Sequence, residues 1–449
     1  MGGAGMLCRG NDMQTRGSLP LAAAALLALA TTAHTADLTT AEPVDYVKVC
    51  DAFGAGFYYS PGTDTCIKVG GYVHFGTSFG GTDFGAYNPD FHQSSWDNFY
   101  TEVSLKLTAS SATEFGNLTG FIDMRVVTGN IGGFSESLTQ AENAATKTAY
   151  LDTAWLSLGP LKAGDFTSLF DFGRGYTDTG GFGSDSSTDH IELSYALGPL
   201  RLALSVEDQR DRGSPGNLGG LASSTGVAYS VIDPVTGQAI PYVSTVYAQG
   251  GADNIPNVIA AVTYASGIFS TKVAAAYTDM ALDRTGAGTL ADPYTFDGQA
   301  GWAVGGNIAF QLDAVSPGDR LFFSAAYGDN ANSFTGISGG TSVAGLSGFA
   351  ALGDADVAPG TSWSAMASYK HAWTPRIWSA VTGSYADYEG ADWYAAEGLT
   401  AWRAVASTGW TPVKGLDVML DGSYSSVDGS GSVPDGDAWA VNLWIERSW

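Results

Sequence analysis

The densest group of side chains able to do chemistry lies between residues 165 and 190. Asp165 precedes the run FTSLFDFGRGYTDTGGFGSDSS over 166–187, and Thr188, Asp189 and His190 follow it. Asp171, Asp178 and Asp185 surround Arg174 within this run. Ser, Asp and His close together suggest acyl transfer. That chemistry needs a serine aimed at a histidine that a third group orients. Sequence neighbours do not supply this geometry, and no G-x-S-x-G elbow precedes an α/β unit. There is no HExxH, no Cys/His metal spacing and no P-loop. No cofactor, metal or catalytic activity is expected. The remaining chemistry is electrostatic: fixed charges facing water act on mobile ions.

Cysteine supplies a second candidate. Residues 13–36, MQTRGSLPLAAAALLALATTAHTA, combine a basic start, a short apolar stretch and small residues at Ala28, Ala30, Ala33 and Ala36. That is the pattern of a secretory signal, too short for a membrane helix. Residues before Met13 lack it and read as an over-called start. Removing 1–36 takes away Cys8 and leaves Cys50 and Cys66. An even pair in an exported chain reads as a disulfide, with two free thiols as the alternative. Closing so short a loop is worth about 3 kcal/mol.

The elements holding these residues show a period of two. Val103, Leu105 and Leu107 alternate with Glu102, Ser104, Lys106 and Thr108. Leu118, Ile122, Met124 and Val126 alternate with Thr119, Asp123 and Arg125, and Leu416, Val418 and Leu420 with Asp417, Met419 and Asp421. Each is a strand with one apolar and one wet face. Such segments, about 10 residues long, recur along the chain with aromatics near their ends, as at Trp302, Trp363, Trp373, Trp402, Trp410 and Trp439. A sandwich core also alternates. The segment length and aromatic ends favour strands that cross a bilayer at a tilt.

Composition agrees. Of 449 residues, 60 are Gly, 14% are charged and 12% aromatic. A soluble domain carries about a quarter charged residues. The net charge of −25 leaves no basic footprint for nucleic acid. It suits solvated loops, or a lumen that concentrates cations.

Tight turns at Gly159-Pro160, Gly198-Pro199, Ser266-Gly267, Ser316–Gly318, Thr374-Pro375 and Thr411–Gly415 alternate with long polar stretches at 166–187, 209–256, 279–298, 329–360 and 388–400. The expected fold is all-β: a transmembrane antiparallel β-barrel of about sixteen strands, after a signal over 1–36 and a cysteine-bearing segment over 37–66. The strand cores are 67–79, 98–110, 116–128, 149–158, 161–166, 188–197, 200–208, 257–265, 268–278, 300–312, 320–328, 362–373, 376–387, 401–411, 414–426 and 437–449. Val227–Val243 reads as part of a loop, with a small hairpin or two more strands as alternatives. Residues 87–96 read as an external loop. Closure into a barrel satisfies every backbone group in lipid.

Residues 42–74, EPVDYVKVCDAFGAGFYYSPGTDTCIKVGGYVH, resemble the N-terminal signature of the alphaproteobacterial porins of the Brucella and Rhizobium type. The matching pieces are Glu42-Pro43-Val44, Val49-Cys50-Asp51, Gly54–Tyr58, and Pro61–Cys66 leading into Gly70-Gly71-Tyr72. The end is similar in layout: Trp439, Val441, Leu443 and Ile445 alternate towards Trp449, where the family usually has Phe, and Arg447 matches. The resemblance implies an outer-membrane homotrimer in a Gram-negative bacterium, in contact with lipid and lipopolysaccharide. It also implies passive diffusion of small hydrophilic solutes and a third long loop that narrows the pore.

On that reading the 166–187 loop carries the constriction. Asp165, Asp171, Arg174, Asp178, Asp185 and Asp189 would face Lys106, Arg125 and Lys370 on the wall, setting a transverse field that favours cations. For any single residue, a solvated loop charge is the competing reading. Two other functions compete. A sugar-specific pore would show an aromatic track, for which Phe166, Phe170, Phe172, Tyr176 and Phe182 are candidates. An adhesin barrel would display 209–256 and 329–360 to partners.

Overall fold

The computed structural model describes residues 49–60, 62–82, 94–128, 147–212, 217–232, 234–236, 238–251, 255–337, 359–391, 396–431, 433 and 435–449. The expected signal over 1–36, most of the external loop at 87–96 and most of the 329–360 loop fall outside these residues.

Among the described residues, nineteen strands form one sheet. In chain order they are β1 Tyr58–Tyr59, β2 Cys66–Thr82, β3 Ser94–Thr113, β4 Gly116–Thr128, β5 Lys147–Leu158, β6 Leu161–Thr167, β7 Ser187–Leu197, β8 Leu200–Glu207, β9 Asn217–Ile232 and β10 Ala239–Gly251. They continue as β11 Asn257–Ala265, β12 Phe269–Thr285, β13 Tyr294–Gln311, β14 Arg320–Asp329, β15 Gly360–Thr374, β16 Ile377–Gly390, β17 Ala396–Val413, β18 Leu416–Gly431 and β19 Gly436–Ser448. β8 pairs directly with β11, as at Val206↔Val258, so β9 and β10 stand outside the circuit. β19 pairs with β2, as at Leu443↔Thr77, and closes the ring. β2–β8 and β11–β19 thus make a closed antiparallel barrel of sixteen strands.

Every expected strand core lies within or against one of these sixteen. Two expected loops are shorter than the sequence suggests. β12 runs on to Thr285 and β13 starts at Tyr294; β16 runs to Gly390 and β17 starts at Ala396. The stretches 279–298 and 388–400 are therefore largely paired strand. Above the bilayer both faces meet water, so a strand there needs no apolar alternation and its composition resembles a loop. The Val227–Val243 stretch belongs to the β9–β10 hairpin, which is longer than the sequence suggests. β10 also runs parallel to the upper end of β13, from Ala248↔Tyr294 to Gly251↔Asp297.

The barrel is apolar outside. Val103, Leu105, Leu107, Ile122, Met124, Leu202, Leu204, Leu420 and Leu443 are exposed, while Ser104, Asp123, Ser205 and Asp421 on the same strands are buried. In water this arrangement would cost about 25 cal/mol for each Å² of apolar surface left exposed. In lipid it is the stable one. Paired aromatics edge the belt: Trp302 with Tyr327, Trp363 with Tyr385, and Trp402 with Tyr424, at centroid separations of 5.5, 5.1 and 5.3 Å.

Cys50 and Cys66 are joined in a disulfide. It closes a small loop whose core is Cys50, Phe57 and Cys66, with Phe53 and Tyr59 packed against them. β1 pairs back on the start of β2, and Thr65 Oγ1 lies 3.1 Å from Ser111 Oγ. Residues 49–66 therefore sit at the tight-turn end of the β2–β3 pair.

Candidate functional site

Residues 168–186, between β6 and β7, fold into the lumen. Three kinds of contact hold them. At the base, Glu207 Oε2 accepts from Ser168 Oγ at 2.7 Å and Glu207 Oε1 from Leu169 N at 2.9 Å. Arg212 donates to Ser168 Oγ and lies 3.8 Å from Glu207; both charged side chains are fully buried. Burying a charge is costly unless it is paired, so this pair fixes where the loop begins.

Next, Leu169, Phe170 and Phe172 pack onto inward-facing Ile259, Ala261, Ala274, Ala276, Ala303 and Ala326, with Phe334 closing over them. Small wall residues make room for large loop residues. At Gly305 an added Cβ would lie 2.8 Å from the Phe172 ring. Burying each Phe is worth about 1.5–3 kcal/mol.

Beyond Phe172 the anchoring turns polar and steps round the wall strand by strand. Asn307 Nδ2 donates to Phe172 O at 2.5 Å. Tyr176 N donates to Ser368 Oγ at 2.9 Å, and Thr177 Oγ1 to Thr382 Oγ1 at 2.7 Å. Asp178 N donates to Ser407 Oγ at 3.0 Å. Thr179 donates through N and Oγ1 to Asp421, at 3.3 and 2.7 Å. Arg403 donates to Gly180 O at 3.0 Å. The loop thus spans β13, β15, β16, β17 and β18.

A different surface lies on β2–β5. Arg125 lies 2.7 Å from Asp152, 3.1 Å from Asp123 and 3.8 Å from Glu102. Lys106 lies 3.7 Å from Asp123, whose Oδ1 accepts from Ser104 Oγ at 2.6 Å. Tyr72 and Tyr150 both donate to Glu102. His74 Nε2 lies 3.1 Å from Tyr100 OH, and its Nδ1 lies 3.4 Å from Glu446.

The residues singled out from sequence divide into several places. Lys106 and Arg125 lie together on the β2–β5 wall. Lys370 lies apart, in register with Arg320, its Nζ 3.8 Å from the Trp378 ring centroid. Arg174 and Asp185 pair with each other at 2.6 Å. Asp171 is turned into the protein, accepting from Ser184 Oγ and from Ser186 N. Asp178 stays exposed on the loop, and the desolvation it does undergo there raises its carboxyl above the usual carboxylate range. Asp165 and Asp189 face one another across β6 and β7 on the outer face, alongside exposed Ile191 and Leu193. They lie apart from the lumen. Phe166, Phe170, Phe172 and Phe182 are buried, so they fix the loop and form no open aromatic track. His190 Nδ1 lies 2.8 Å from Thr188 O. Sequence reasoning missed Glu102, Asp123 and Asp152 as partners of the wall cations, and missed Glu207 and Arg212 at the loop base. Alternation signalled the first two; only the fold brings the others together.

A closed apolar-out barrel with a loop folded across its lumen defines an outer-membrane β-barrel of the porin class. Residues 37–443 match the Porin subfamily, and the chain belongs to that family. It is 37% identical over 196 residues to outer membrane protein IIIA of Rhizobium leguminosarum bv. viciae, covering 42% of this chain and 48% of that protein. It is 33% identical over 188 residues to porin Omp2b of Brucella abortus, covering 41% and 48%. The chain spans about half the length of the curated relatives it matches. In fold it is similar to the outer membrane channel DcaP of Acinetobacter baumannii, with TM-score 0.56 and 17% identity over 87% of this chain and 99% of that one.

Proposed function

We propose that this protein is a passive, water-filled pore for small hydrophilic solutes and ions, narrowed by the 168–186 loop and favouring cations. One observation carries the reading. The loop is fixed along one side of the inner wall, and the opposite side, β2–β5, stays lined with charge. A plugged barrel has no use for a solvated charged wall, and general selectivity needs charge at a constriction. A homotrimer, which membership of the family supports, belongs to the same proposal.

The cation preference rests on three acids, Glu102, Asp123 and Asp152, against two bases, Lys106 and Arg125, on that wall. The overall charge of −25 acts in the same direction. Asp178 adds a titratable element. Because its folded pKa is raised, its carboxylate is lost as pH falls, earlier than an ordinary carboxylate's.

Planar-bilayer recording tests both parts. Stepwise KCl conductance is expected, with a reversal potential that favours K⁺ and weakens as pH falls from neutral. Asp178→Asn together with Asp185→Asn should lower the preference at neutral pH and flatten its pH dependence. Absence of steps from a heat-modifiable, folded barrel overturns the pore. Steps with no K⁺ preference overturn the selectivity alone.

A further inference from the structure

The lumen holds a second charged pocket that the wall of β2–β5 does not include. Lys162 on β6, Arg201 on β8 and Lys272 on β12 point inward on the tight-turn side of the inward loop. Together with Glu192, Trp155, Phe166 and the loop base at Ser168–Asp171, they line a cavity of about 350 Å³. The register brings them together: Lys162 pairs with Glu192, while Arg201 and Lys272 both pair with Thr263 from opposite sides.

The charges there do not balance. Glu192 is engaged by Arg201, which stays half exposed. Lys272 donates to a backbone carbonyl, Asp171 O, at 2.8 Å. The Asp171 carboxylate is spent on Ser184 and Ser186 and lies 4.0 Å from Arg212. Lys162 lies over aromatic faces, with Nζ 3.5 Å from the Phe166 centroid and 4.4 Å from that of Trp155. Neither lysine forms an ion pair among the described residues. Three cations therefore face Glu192 and the already engaged Asp171 in a small, water-connected, aromatic-floored cavity, which leaves positive charge in excess. A lysine held over a ring keeps its charge and leaves its remaining donors free.

We propose that this pocket is a binding subsite for small dianions carrying a phosphate or paired carboxylates, held by Lys162, Lys272 and the free edge of Arg201. The proposal rests on the pore reading for its physiological role and on the pocket itself for binding. The cavity suits a small solute, since ligand sites start near about 300 Å³. In a pore that favours cations, it gives anions that pass the loop a retaining step on the periplasmic side.

The test uses inorganic phosphate and succinate as probes. In KCl bilayers, millimolar phosphate or succinate added on the periplasmic side should produce saturable flicker block of the wild-type channel, and sucrose should not. Lys162→Gln with Lys272→Gln should weaken block by roughly tenfold or more, as expected for losing charged hydrogen-bond donors. Lys162→Arg with Lys272→Arg should restore it. Heat-modifiability and KCl conductance check that each variant is folded. Phosphorus-31 line broadening by the detergent-solubilised protein reads phosphate binding without conduction. Broadening that depends on Lys162 and Lys272 supports the subsite even if the channel does not conduct. No block and no broadening, or effects unchanged in the Gln variant, overturn it while leaving the pore reading intact.

Discussion

The two sides of the inner wall solve opposite problems. On β11–β18 the inward residues are mostly small and neutral: Ala261, Ala274, Ala303 and Ala326, then Ser368, Thr382 and Ser407. They are covered, and their task is to receive a loop. On β2–β5 the inward residues include Glu102, Lys106, Asp123, Arg125 and Asp152, linked to one another around buried Asp123, with Lys106, Arg125 and Asp152 reaching the lumen. One side gives up charge to gain packing; the other keeps charge because nothing covers it. The loop therefore narrows the pore and also decides which half of the wall ions meet.

The sharpest way to break this contrast is at the loop base. Glu207→Ala strips buried Arg212 of its nearer carboxylate, at 3.8 Å against 4.0 Å for Asp171, which costs about 3–5 kcal/mol. The loop should detach, raising single-channel conductance and exposing 168–186 to protease while the barrel still shifts on unboiled gels. Phe170→Ala should follow closely, at about 3–5 kcal/mol, through the cavity it leaves on the alanine shelf. A smaller effect is expected at the polar end. Asp421→Ala removes the acceptor for Thr179 and Ser407, each such bond worth about 1.5–3 kcal/mol. The loop stays seated on its apolar base, so open-channel noise should rise with little change in mean conductance. Least stability is at stake on the open side. Arg125→Ala disrupts partly solvated pairs worth about 1 kcal/mol or less each. It should leave thermal stability near wild type and move the reversal potential further towards K⁺. If Arg125→Ala instead unseats the loop, the two sides are not independent and the contrast fails.

Much of the fold was legible in the sequence because a barrel strand must alternate to satisfy lipid and water at once. Val103, Leu105 and Leu107 against Ser104 and Lys106 carry that rule in five residues. Above the membrane the rule lapses, and the paired ends of β12 and β13 were indistinguishable from loop. The site was legible in part. Lys106 and Arg125 stand on the same wall because alternation fixed their face. Asp165 and Asp189 are outward because the strand phase of β6 continues to Thr167, one residue past the first residue of the expected 166–187 loop. Asp171 looked free because Ser184, Ser186 and Arg212 meet it only after the loop has folded back on itself. The polar ladder of Ser368, Thr382, Ser407 and Asp421 joins residues from four strands, and no local pattern marks it.

The seam between β2 and β19 has a consequence for the order of events in assembly. Until the last strand arrives, β2 presents a row of unpaired backbone donors and acceptors, which neither lipid nor a stable sheet tolerates. The barrel can be completed only when β2 and β19, the two ring strands most distant in sequence, meet, so closure comes after every other strand is in place. The Cys50–Cys66 bond and its small aromatic cluster sit at the turn end of that waiting edge. They give the first strand a covalently fixed starting point while it waits for the last.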